Sequence, residues 1–288
     1  MPGPDYFFCV AHEPPWFELP DHVEVIATGT YQVEGRLNIR DSRHTVGSGC
    51  LNISNFYPYL TGTAGSLYIS ELLQKRPTEG RSVCIFQYRK LISLEPIGAA
   101  AANYPYMRIL GLHLGKDQVA EILASYATDL LISHPFLMPE GMLAQYANYH
   151  HVADFLVLTR IAVDLKVLQE TEVPTFFETR LFVPGGVEFG IIPCDLFIDI
   201  MERLRPILGE FLSRHVPFAP HNAYQRRALS FFAERLGSYL LIKHLGWPTT
   251  GANPDGSLLL LPAQNVGYMC TLSESGEYRT FGHAGEAP

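Results

Sequence analysis

The chain has 288 residues, of which 47% are hydrophobic and 17% are charged, and its formal net charge at neutral pH is −8. This is the composition of a globular protein, and its acidic balance argues against a broad nucleic-acid surface but not against a basic pocket for a small anion. Five scattered cysteines without CxxC spacing favour buried free thiols over a zinc site or a disulfide framework. Because neither a signal-peptide pattern nor an apolar run of roughly 20 residues is found, we expect a cytoplasmic protein, with contact to a membrane surface left open.

The first half of the chain alternates between strand and helix patterns. Short aromatic or β-branched runs bounded by turn residues predict strands, and apolar residues three or four apart predict helices. This alternation is typical of a layered α/β sheet. The predicted strands are 6–10, 23–27, 83–86, 108–114 and 129–132, the predicted helices are 67–74 and 117–126, and residues 93–106 are predicted as a loop.

Longer helical patterns dominate the second half. Residues 196–212 predict a strongly amphipathic helix with a cap at Asp195. The other predicted elements are helices at 141–169 and 224–244 and strands at 187–192 and 258–261. We predict a single domain over residues 1–250, followed by a Gly- and Pro-rich extension over 251–288 that ends in a mobile tail at 274–288.

The most informative polar cluster is Tyr88-Arg89-Lys90, which follows the predicted strand 83–86. In α/β sheets the carboxyl ends of strands carry the ligand chemistry. A phenol, a guanidinium and an ammonium suit a phosphate-bearing substrate, and they would stabilise the charge that develops on a leaving nucleoside diphosphate. The alternative is a strand that simply ends in water beside ordinary basic residues.

A second cluster lies within the predicted helix 141–169, where Gln145 and Tyr146 precede His150 and Asp154. Four residues apart on one helix, His150 and Asp154 would share a face. The histidine would then act as a general base or contact an acceptor, with Asp154 setting its tautomer, or the two would form a merely structural pair. A metal site would need further ligands, and no spacing supplies them.

Two further clusters are weaker signals. His12 follows the first predicted strand, where nucleotide sites of α/β proteins often begin. Arg227 and Glu234 are seven residues apart and lie near one face of the predicted helix 224–244, but ion pairs on a solvated face would account for them equally well. The sequence contains no GxGxxG, P-loop, GxSxG or DxD motif.

Together these clusters resemble a family of bacterial capsular or lipopolysaccharide glycosyltransferases, formerly a domain of unknown function. That family has a strand ending in Thr-His-Lys, an Asn-Ile-Ser segment, a strand ending in His-Tyr-Arg-Arg, a Gln-Tyr-x-x-x-His-x-x-x-Asp stretch and a late Glu-Arg-Leu. The corresponding segments keep this order: Ala11-His12-Glu13, Asn52-Ile53-Ser54, Gln87-Tyr88-Arg89-Lys90, Gln145-Tyr146 with His150 and Asp154, and Glu234-Arg235-Leu236. The chain departs from the family at Glu13, Gln87, Lys90 and Gly65-Ser66-Leu67-Tyr68.

The resemblance implies a GT-A-like fold, a nucleotide-binding mixed sheet flanked by helices with a helical C-terminal part. It implies transfer of a sugar from a nucleoside-diphosphate donor to a hydroxyl of a glycan or small-molecule acceptor in polysaccharide biosynthesis. The donor would be bound by His12, Asn52, Ser54, Tyr88, Arg89 and Lys90; the acceptor would be contacted, or the site closed, by Gln145, Tyr146, Arg227, Glu234 and Arg235; and His150 or Asp154 would orient the acceptor or act as the base. Because cationic side chains stand where such enzymes place a DxD, we expect only weak dependence on Mn²⁺ or Mg²⁺.

Two other function classes stay open. A hydrolase or phosphatase acting on a phosphorylated sugar would need a metal cluster or a nucleophile, and neither stands out in the sequence. A non-catalytic nucleotide- or carbohydrate-binding protein descended from such an enzyme is compatible with Glu13 and Gln87, the two departures from the family motifs. Turnover of a donor would separate these classes from a transferase.

Overall fold

The computed structural model describes residues 3–32, 37–38, 53–101, 104–111, 114–215, 222, 224–252 and 263–273. Asn52, the side chain of Ser54, the predicted strand at 258–261 and the predicted tail at 274–288 lie outside these residues. The expectations for those positions stay predictions.

The described strands form one large mixed sheet and a small two-stranded ribbon. In chain order the strands are β1 Tyr6–Ala11, β2 Glu24–Ala27, β3 Leu37–Asn38, β4 Ser82–Gln87, β5 Lys90–Ser93, β6 Ala99–Ala101, β7 Tyr104–Leu110, β8 Ile132–Ser133, β9 Phe136–Leu137, β10 Leu181–Phe182, β11 Gly190–Pro193 and β12 Val266–Leu272. The order across the large sheet is β3-β2-β1-β4-β5-β12-β7-β6, with β11 also pairing with β4 and β8 also pairing with β12, while β9 and β10 form the ribbon.

Helices flank this sheet. They are α1 Tyr57–Leu60, α2 Gly62–Leu73, α3 Lys116–Ala124, α4 Met142–Tyr149, α5 Val152–Asp164, α6 Val173–Glu178, α7 Cys194–His215 and α8 Ala228–His244. Alternate residues of β4 face opposite ways, as the period of a strand requires: Val83 and Ile85 join the core under α2, α5, α7 and α8, whereas Cys84 and Phe86 join the core that includes α3. Burial on both faces explains why this strand is a continuous apolar run.

The carboxyl ends of β1 and β4 meet at one edge of the sheet. The two strands are parallel and in register, with Phe8 opposite Ile85 and Val10 opposite Gln87. The chain then turns through Tyr88 and Arg89 into β5, so that Gln87 pairs with Lys90. The residue after β1, His12, is therefore brought beside this turn, and the rings of His12 and Tyr88 are 4.4 Å apart.

Strand β12 belongs to the centre of the sheet although it comes from residues 266–272. It runs antiparallel to β5 and parallel to β7, with Met269 opposite both Ile92 and Met107. A structured strand within the predicted extension 251–288 therefore packs into the same sheet as β1 and β4. The predicted loop at 93–106 is also wrong in part, because β6 and the start of β7 form there.

The predicted continuous helix over 141–169 is broken into α4 and α5. At the break, His150 has an extended backbone (φ −139°, ψ 168°), and His151 is the residue before α5. His150 and Asp154 therefore do not share a helix, and the predicted i,i+4 pairing is wrong. The helix predicted at 224–244 starts with a 3₁₀ turn, Gln225–Arg227, and Asp195 lies in the first turn of α7 instead of capping it.

The cysteine prediction is confirmed for the described residues, where Cys9, Cys84, Cys194 and Cys270 are free and buried. Burial raises the pKa of each of these thiols, which keeps them protonated and unreactive.

Candidate active site

A cavity of about 1070 Å³ opens at the carboxyl ends of β1 and β4. Its walls come from the β4–β5 turn, the segment around β9, the end of α4, the segment before β11 and the start of α8. Most of the predicted site residues line it: His12, Tyr88, Arg89, Lys90, Gln145, His150, Arg227, Glu234 and Arg235. Tyr146 is fully buried and Asp154 half-buried, and neither is among the lining residues.

Three cationic side chains converge in this cavity. Arg89 and Lys90 come from the β4–β5 turn, and Arg227 comes from the 3₁₀ turn before α8. Burial is the main cause that lowers the pKa of Lys90 to about 8; Glu234 opposes this shift, and the charges of Arg89 and Arg227 contribute to it. The three positive charges therefore act on each other within one poorly solvated space.

Aromatic faces hold the two guanidinium groups. The Cζ atom of Arg89 lies 5.7 Å from the Trp16 ring and 5.5 Å from the Tyr88 ring. The Cζ atom of Arg227 lies 5.1 Å from the Phe231 ring. Cation–π contacts of this kind fix the plane of a guanidinium while its N–H edges can still donate hydrogen bonds.

A small aromatic group at the end of β1 borders the cationic residues. The rings of His12 and Tyr88 meet edge to face, and the Tyr57 ring lies 6.3 Å from His12. Burial is the main cause that lowers the pKa of His12, so the ring is neutral at physiological pH. Buried Thr28 closes this end of the cavity, and its hydroxyl donates to the carbonyl of Ala11.

Three carboxylates also line the cavity: Glu140, Glu188 and Glu234. Glu188 is 9% exposed and accepts a hydrogen bond of 2.9 Å from the Thr63 hydroxyl. Burial raises its pKa to about 8, and the nearby charge of Glu234 adds to the effect. Glu188 is therefore mostly protonated at neutral pH and can donate a hydrogen bond there.

Glu234 is held by a backbone amide, because the N–H of Gly185 donates to its Oε1 atom at 2.8 Å. Gly185 has φ +81°, and an added Cβ would lie 2.6 Å from the Cβ of Phe189. Only glycine suits this position, so the backbone turn that donates this hydrogen bond to Glu234 depends on it.

Buried polar residues of α4, α8 and the break after α4 line a further part of the cavity. The guanidinium of Arg235 donates to the Gln145 side chain at 2.8 Å and to the carbonyl of Phe231 at 3.0 Å. The His150 ring stacks on Phe231 at 4.0 Å. Burial lowers the pKa of His150 to about 3, and the charges of Arg235 and Arg227 contribute, so His150 is neutral and a weak base.

Several lining residues were not predicted from the sequence, among them Glu188, Tyr57, Thr61 and Ser230. Glu188 had one available signal, a single carboxylate in the otherwise apolar and glycine-rich stretch 181–193. Thr61 lies between α1 and α2 with φ +42°, an unusual backbone for a β-branched residue, and its hydroxyl donates to that of Ser230 at 2.9 Å. No local pattern indicates such a contact across 169 residues.

Among the described residues, no group of three or more His, Cys, Asp or Glu side chains is arranged to hold a metal ion. No helix in the described ranges combines the length and apolar character that crossing a bilayer requires.

The structure is similar to the apo structure of WbbM, a bifunctional glycosyltransferase, with a TM-score of 0.67 and 15% sequence identity. The similarity covers 93% of this chain but 45% of that chain, so this protein spans less than half of its length. No protein-family model and no curated protein matches the sequence. The likeness confirms the predicted fold class, a mixed α/β sheet flanked by helices in a glycosyltransferase-like fold, and the predicted family stays a prediction.

Proposed function

We propose that this protein is a glycosyltransferase that moves a sugar from a nucleoside-diphosphate donor to a hydroxyl of a glycan or small-molecule acceptor. The observation that carries the proposal is the convergence of Arg89, Lys90 and Arg227 in one cavity at the carboxyl ends of β1 and β4. These residues come from two segments that are more than 130 positions apart in the sequence. The glycosyltransferase-like fold supports the same proposed function.

A diphosphate leaving group explains why three cations would be placed together. As the glycosidic bond breaks, negative charge grows on the departing diphosphate, and fixed cationic donors stabilise that charge more in the transition state than in the ground state. The arginines offer planar N–H edges to phosphate oxygens, and Lys90 offers a point charge. In this role Arg227 binds the donor, whereas the family resemblance implied that it contacts the acceptor or closes the site.

The low pKa of Lys90 should couple nucleotide binding to proton uptake near pH 8. Near pH 8 part of the Lys90 population is neutral in the free protein. A bound diphosphate would favour the ammonium form, so binding at this pH should take up protons. Calorimetric titrations in two buffers of different ionisation enthalpy measure this uptake, and a Lys90→Met variant should lack it.

Glu234 is our candidate for the base that accepts the proton of the acceptor hydroxyl. The pKa of His150 is held at about 3, and Glu188 is mostly protonated at neutral pH. Glu234 lies in the same cavity beside Lys90, as its effect on the pKa of that residue shows. In an inverting reaction Glu234 would remove the proton from the attacking acceptor hydroxyl.

Replacing Glu234 by glutamine tests this role with little structural change, since the amide oxygen can still accept the bond from Gly185. We expect kcat to fall by about 100-fold or more while the affinity for the nucleotide stays within a few-fold. An unchanged kcat would remove Glu234 as the base and return the role to His150 or Asp154.

The main experiment measures binding of UDP, GDP, CDP and dTDP to the wild-type protein and to the variants Arg89→Ala and Arg227→Ala. We expect one nucleotide to bind and each variant to weaken it by about 10- to 100-fold, the effect of removing one charged donor. Arg203→Ala is the matched control, because Arg203 lies on the exposed face of α7 and should leave binding unchanged. If no nucleotide binds, or if the cavity variants bind as the wild type does, the proposed function is wrong.

The cationic residues also lead to a proposal about metals. Three positive charges supply the compensation that a divalent ion gives to a diphosphate elsewhere, so we propose that transfer continues in the presence of a chelator. Mn²⁺ or Mg²⁺ should change the rate by no more than a few-fold. Complete loss of activity with EDTA, restored by either ion, would contradict this.

The same assays separate the other function classes. A nucleotide sugar that binds without being cleaved to nucleoside diphosphate would favour a non-catalytic binding protein. Release of a free sugar to water at the same rate with and without acceptor would favour a hydrolase.

A further inference from the structure

A row of five aromatic rings leads from the cavity to the surface of the protein. It consists of Phe136, Tyr104, Tyr106, His134 and Tyr268, and we call it the aromatic platform. In this order, successive ring centroids are 5.3, 6.1, 4.2 and 5.0 Å apart. Phe136 and Tyr104 line the cavity, whereas Tyr106 is not among the lining residues and is 41% exposed. The aromatic platform therefore begins in the cavity wall and continues on the outer surface.

The sheet fixes these rings in place. Tyr104 and Tyr106 are alternate residues of β7 and so share one face of the strand, and Tyr268 of the neighbouring β12 lies 6.2 Å from Tyr106. The amide of His134 donates to the carbonyl of Gly267 at 2.9 Å, and the hydroxyl of Tyr104 donates to the carbonyl of His134. The backbone of three strands thus sets the spacing of the rings before any ligand binds.

Two large side chains at this place are exposed although they could bury apolar surface. Tyr106 stacks on His134 with an interplanar angle of 20°, yet 41% of the residue stays exposed. Leu137, which lines the cavity beside Phe136, is 46% exposed. Adjoining exposed apolar side chains often mark a binding surface, and a ring that is already held by another ring loses little conformational entropy when a ligand packs on it.

The chemistry of the aromatic platform favours an uncharged ligand. Tyrosine and phenylalanine rings carry no formal charge at neutral pH, and burial lowers the pKa of His134, so its ring is neutral as well. The faces of the rings are apolar, whereas the phenol and imidazole groups at their edges can form hydrogen bonds. A pyranose has matching surfaces, because its C–H groups form an apolar face and its hydroxyls project from the rim. An anionic chain would find its charge compensated only inside the cavity, at Arg89, Lys90 and Arg227.

We propose that the aromatic platform binds the acceptor, and that this acceptor is an uncharged saccharide chain of at least two sugars. The reactive hydroxyl must reach the donor sugar inside the cavity, so the terminal sugar lies at Tyr104 and Phe136. The sugars that precede it lie on Tyr106 and His134, which a single sugar in the cavity would not reach. This inference rests on the proposed function, and it decides between a glycan and a small-molecule acceptor.

The test measures how affinity depends on the length of the saccharide. Ligand-observed NMR would give the affinities of methyl glycosides, disaccharides and trisaccharides of glucose, galactose and mannose for the wild type, Tyr106→Ala and Tyr106→Phe. Tyr106→Phe keeps the ring and removes only the hydroxyl. Leu165→Ala is the matched control, because Leu165 at the end of α5 is exposed to the same fraction, 41%, and is not among the lining residues.

We expect the trisaccharide of one series to bind the wild type and Leu165→Ala about tenfold more tightly than its methyl glycoside, the effect of packing one further sugar on an aromatic face. Tyr106→Ala should lose most of this gain, and Tyr106→Phe should keep most of it. No gain with length in any series, or the same gain in Tyr106→Ala, would overturn the inference. Binding to phosphatidylcholine vesicles that depends on Tyr106, without binding to any saccharide, would make the aromatic platform a membrane contact and would also overturn it.

Nucleotide binding distinguishes this failure from failure of the proposed function. UDP, GDP, CDP and dTDP should bind Tyr106→Ala as they bind the wild type, because the diphosphate lies at the cationic residues. If a nucleotide binds but no affinity is gained with saccharide length, this inference is wrong and the proposed function stands. If saccharide chains bind at Tyr106 but no nucleotide binds, the proposed function is wrong and the acceptor role falls with it.

Transfer kinetics give a second measurement that a merely structural role of Tyr106 would not reproduce. With a trisaccharide acceptor, Tyr106→Ala should raise KM by about tenfold while kcat stays within a few-fold, because the ring binds a part of the acceptor that does not react. With a methyl glycoside as acceptor, the wild type and Tyr106→Ala should have the same KM. An equal rise of KM for both acceptors would contradict a role confined to the longer chain.

Discussion

Two buried arginine sites in this protein differ in how completely their hydrogen bonds are made. Arg205, between α7 and α2, uses all three nitrogens: Nε donates to Glu202 at 3.1 Å, Nη1 to Glu71 at 3.1 Å, and Nη2 to the carbonyl of Leu67 at 2.9 Å. In the cavity, Arg235 donates through its two terminal nitrogens only, and the Nε atoms of Arg235 and Arg227 have no partner.

This contrast distinguishes a structural charge from a binding charge when both are buried. At Arg205 the carboxylate of Glu71, which is 1% exposed, compensates the charge within the fold. In the cavity the cations outnumber the carboxylates, and burial, with the charges of the neighbouring arginines as a second cause, lowers the pKa of Lys90 and His150. At Arg205 the fold uses every donor nitrogen, whereas the excess positive charge of the cavity is available to the proposed diphosphate.

The largest expected effect comes from breaking the complete site. Arg205→Met should lower the free energy of unfolding by about 3–5 kcal/mol, because it breaks the ion pair that Arg205 makes with the buried carboxylate of Glu71. Urea denaturation measures the loss. Adding Glu71→Leu should restore part of it, since the buried charge that Arg205 balanced is then gone. A cost below about 1 kcal/mol for the single variant would show that Arg205 is not a structural charge in this sense.

A pH-dependent effect of intermediate size is expected at Glu188 in the cavity. Burial raises its pKa to about 8 from 4.5, so the folded chain holds this proton more tightly than the unfolded chain does. The resulting stabilisation is complete below about pH 4.5 and is lost as the pH rises through about 8.

The Glu188→Gln side chain cannot ionise. Between pH 5 and pH 8 the free energy of unfolding of the wild type should therefore fall by about 3 kcal/mol more than that of Glu188→Gln. Denaturation curves at the two pH values give the difference, and near pH 5 the two proteins should be similarly stable. Parallel pH profiles would mean that Glu188 does not carry the raised pKa.

The smallest effect is expected on the outer face of the same helix that carries Arg205. Arg203 pairs with Asp199 one turn away, and the two side chains are about half exposed. Arg203→Met should cost about 0.5 kcal/mol or less, because solvent screens such a pair. The cost of Arg205→Met minus that of Arg203→Met measures what burial adds to an arginine pair. Equal losses of unfolding free energy in the two variants would show that burial of the Arg205 pair adds nothing to stability.

The sequence predicted the parts of the site that depend on local pattern. β1 and β4 are short apolar runs, and parallel strands place their carboxyl ends at one edge, so His12 and the Tyr88-Arg89-Lys90 turn could be placed together from the sequence. The amphipathic pattern likewise located α7.

The parts that depend on distant contacts could not be predicted in the same way. The break at His150 contains neither Pro nor Gly, and its stacking partner Phe231 lies 81 positions along the chain. β12 contains Gly267, which weakens its local strand pattern, and its position in the sheet is set by pairing with β5 and β7. Glu188 becomes a site residue only because Thr63 and Glu234 are folded against it.

The most direct test of the proposed chemistry is the release of nucleoside diphosphate from nucleotide sugars, followed by chromatography for the wild type, Arg89→Ala, Arg227→Ala and the control Arg203→Ala. We predict that the wild type and the control release nucleoside diphosphate at similar rates in the presence of a sugar acceptor, and that each cavity variant is slower by at least about tenfold. Failure of the wild type to release nucleoside diphosphate from any nucleotide sugar, or equal rates in all four proteins, would contradict the proposal that Arg89, Lys90 and Arg227 bind the diphosphate of a sugar donor.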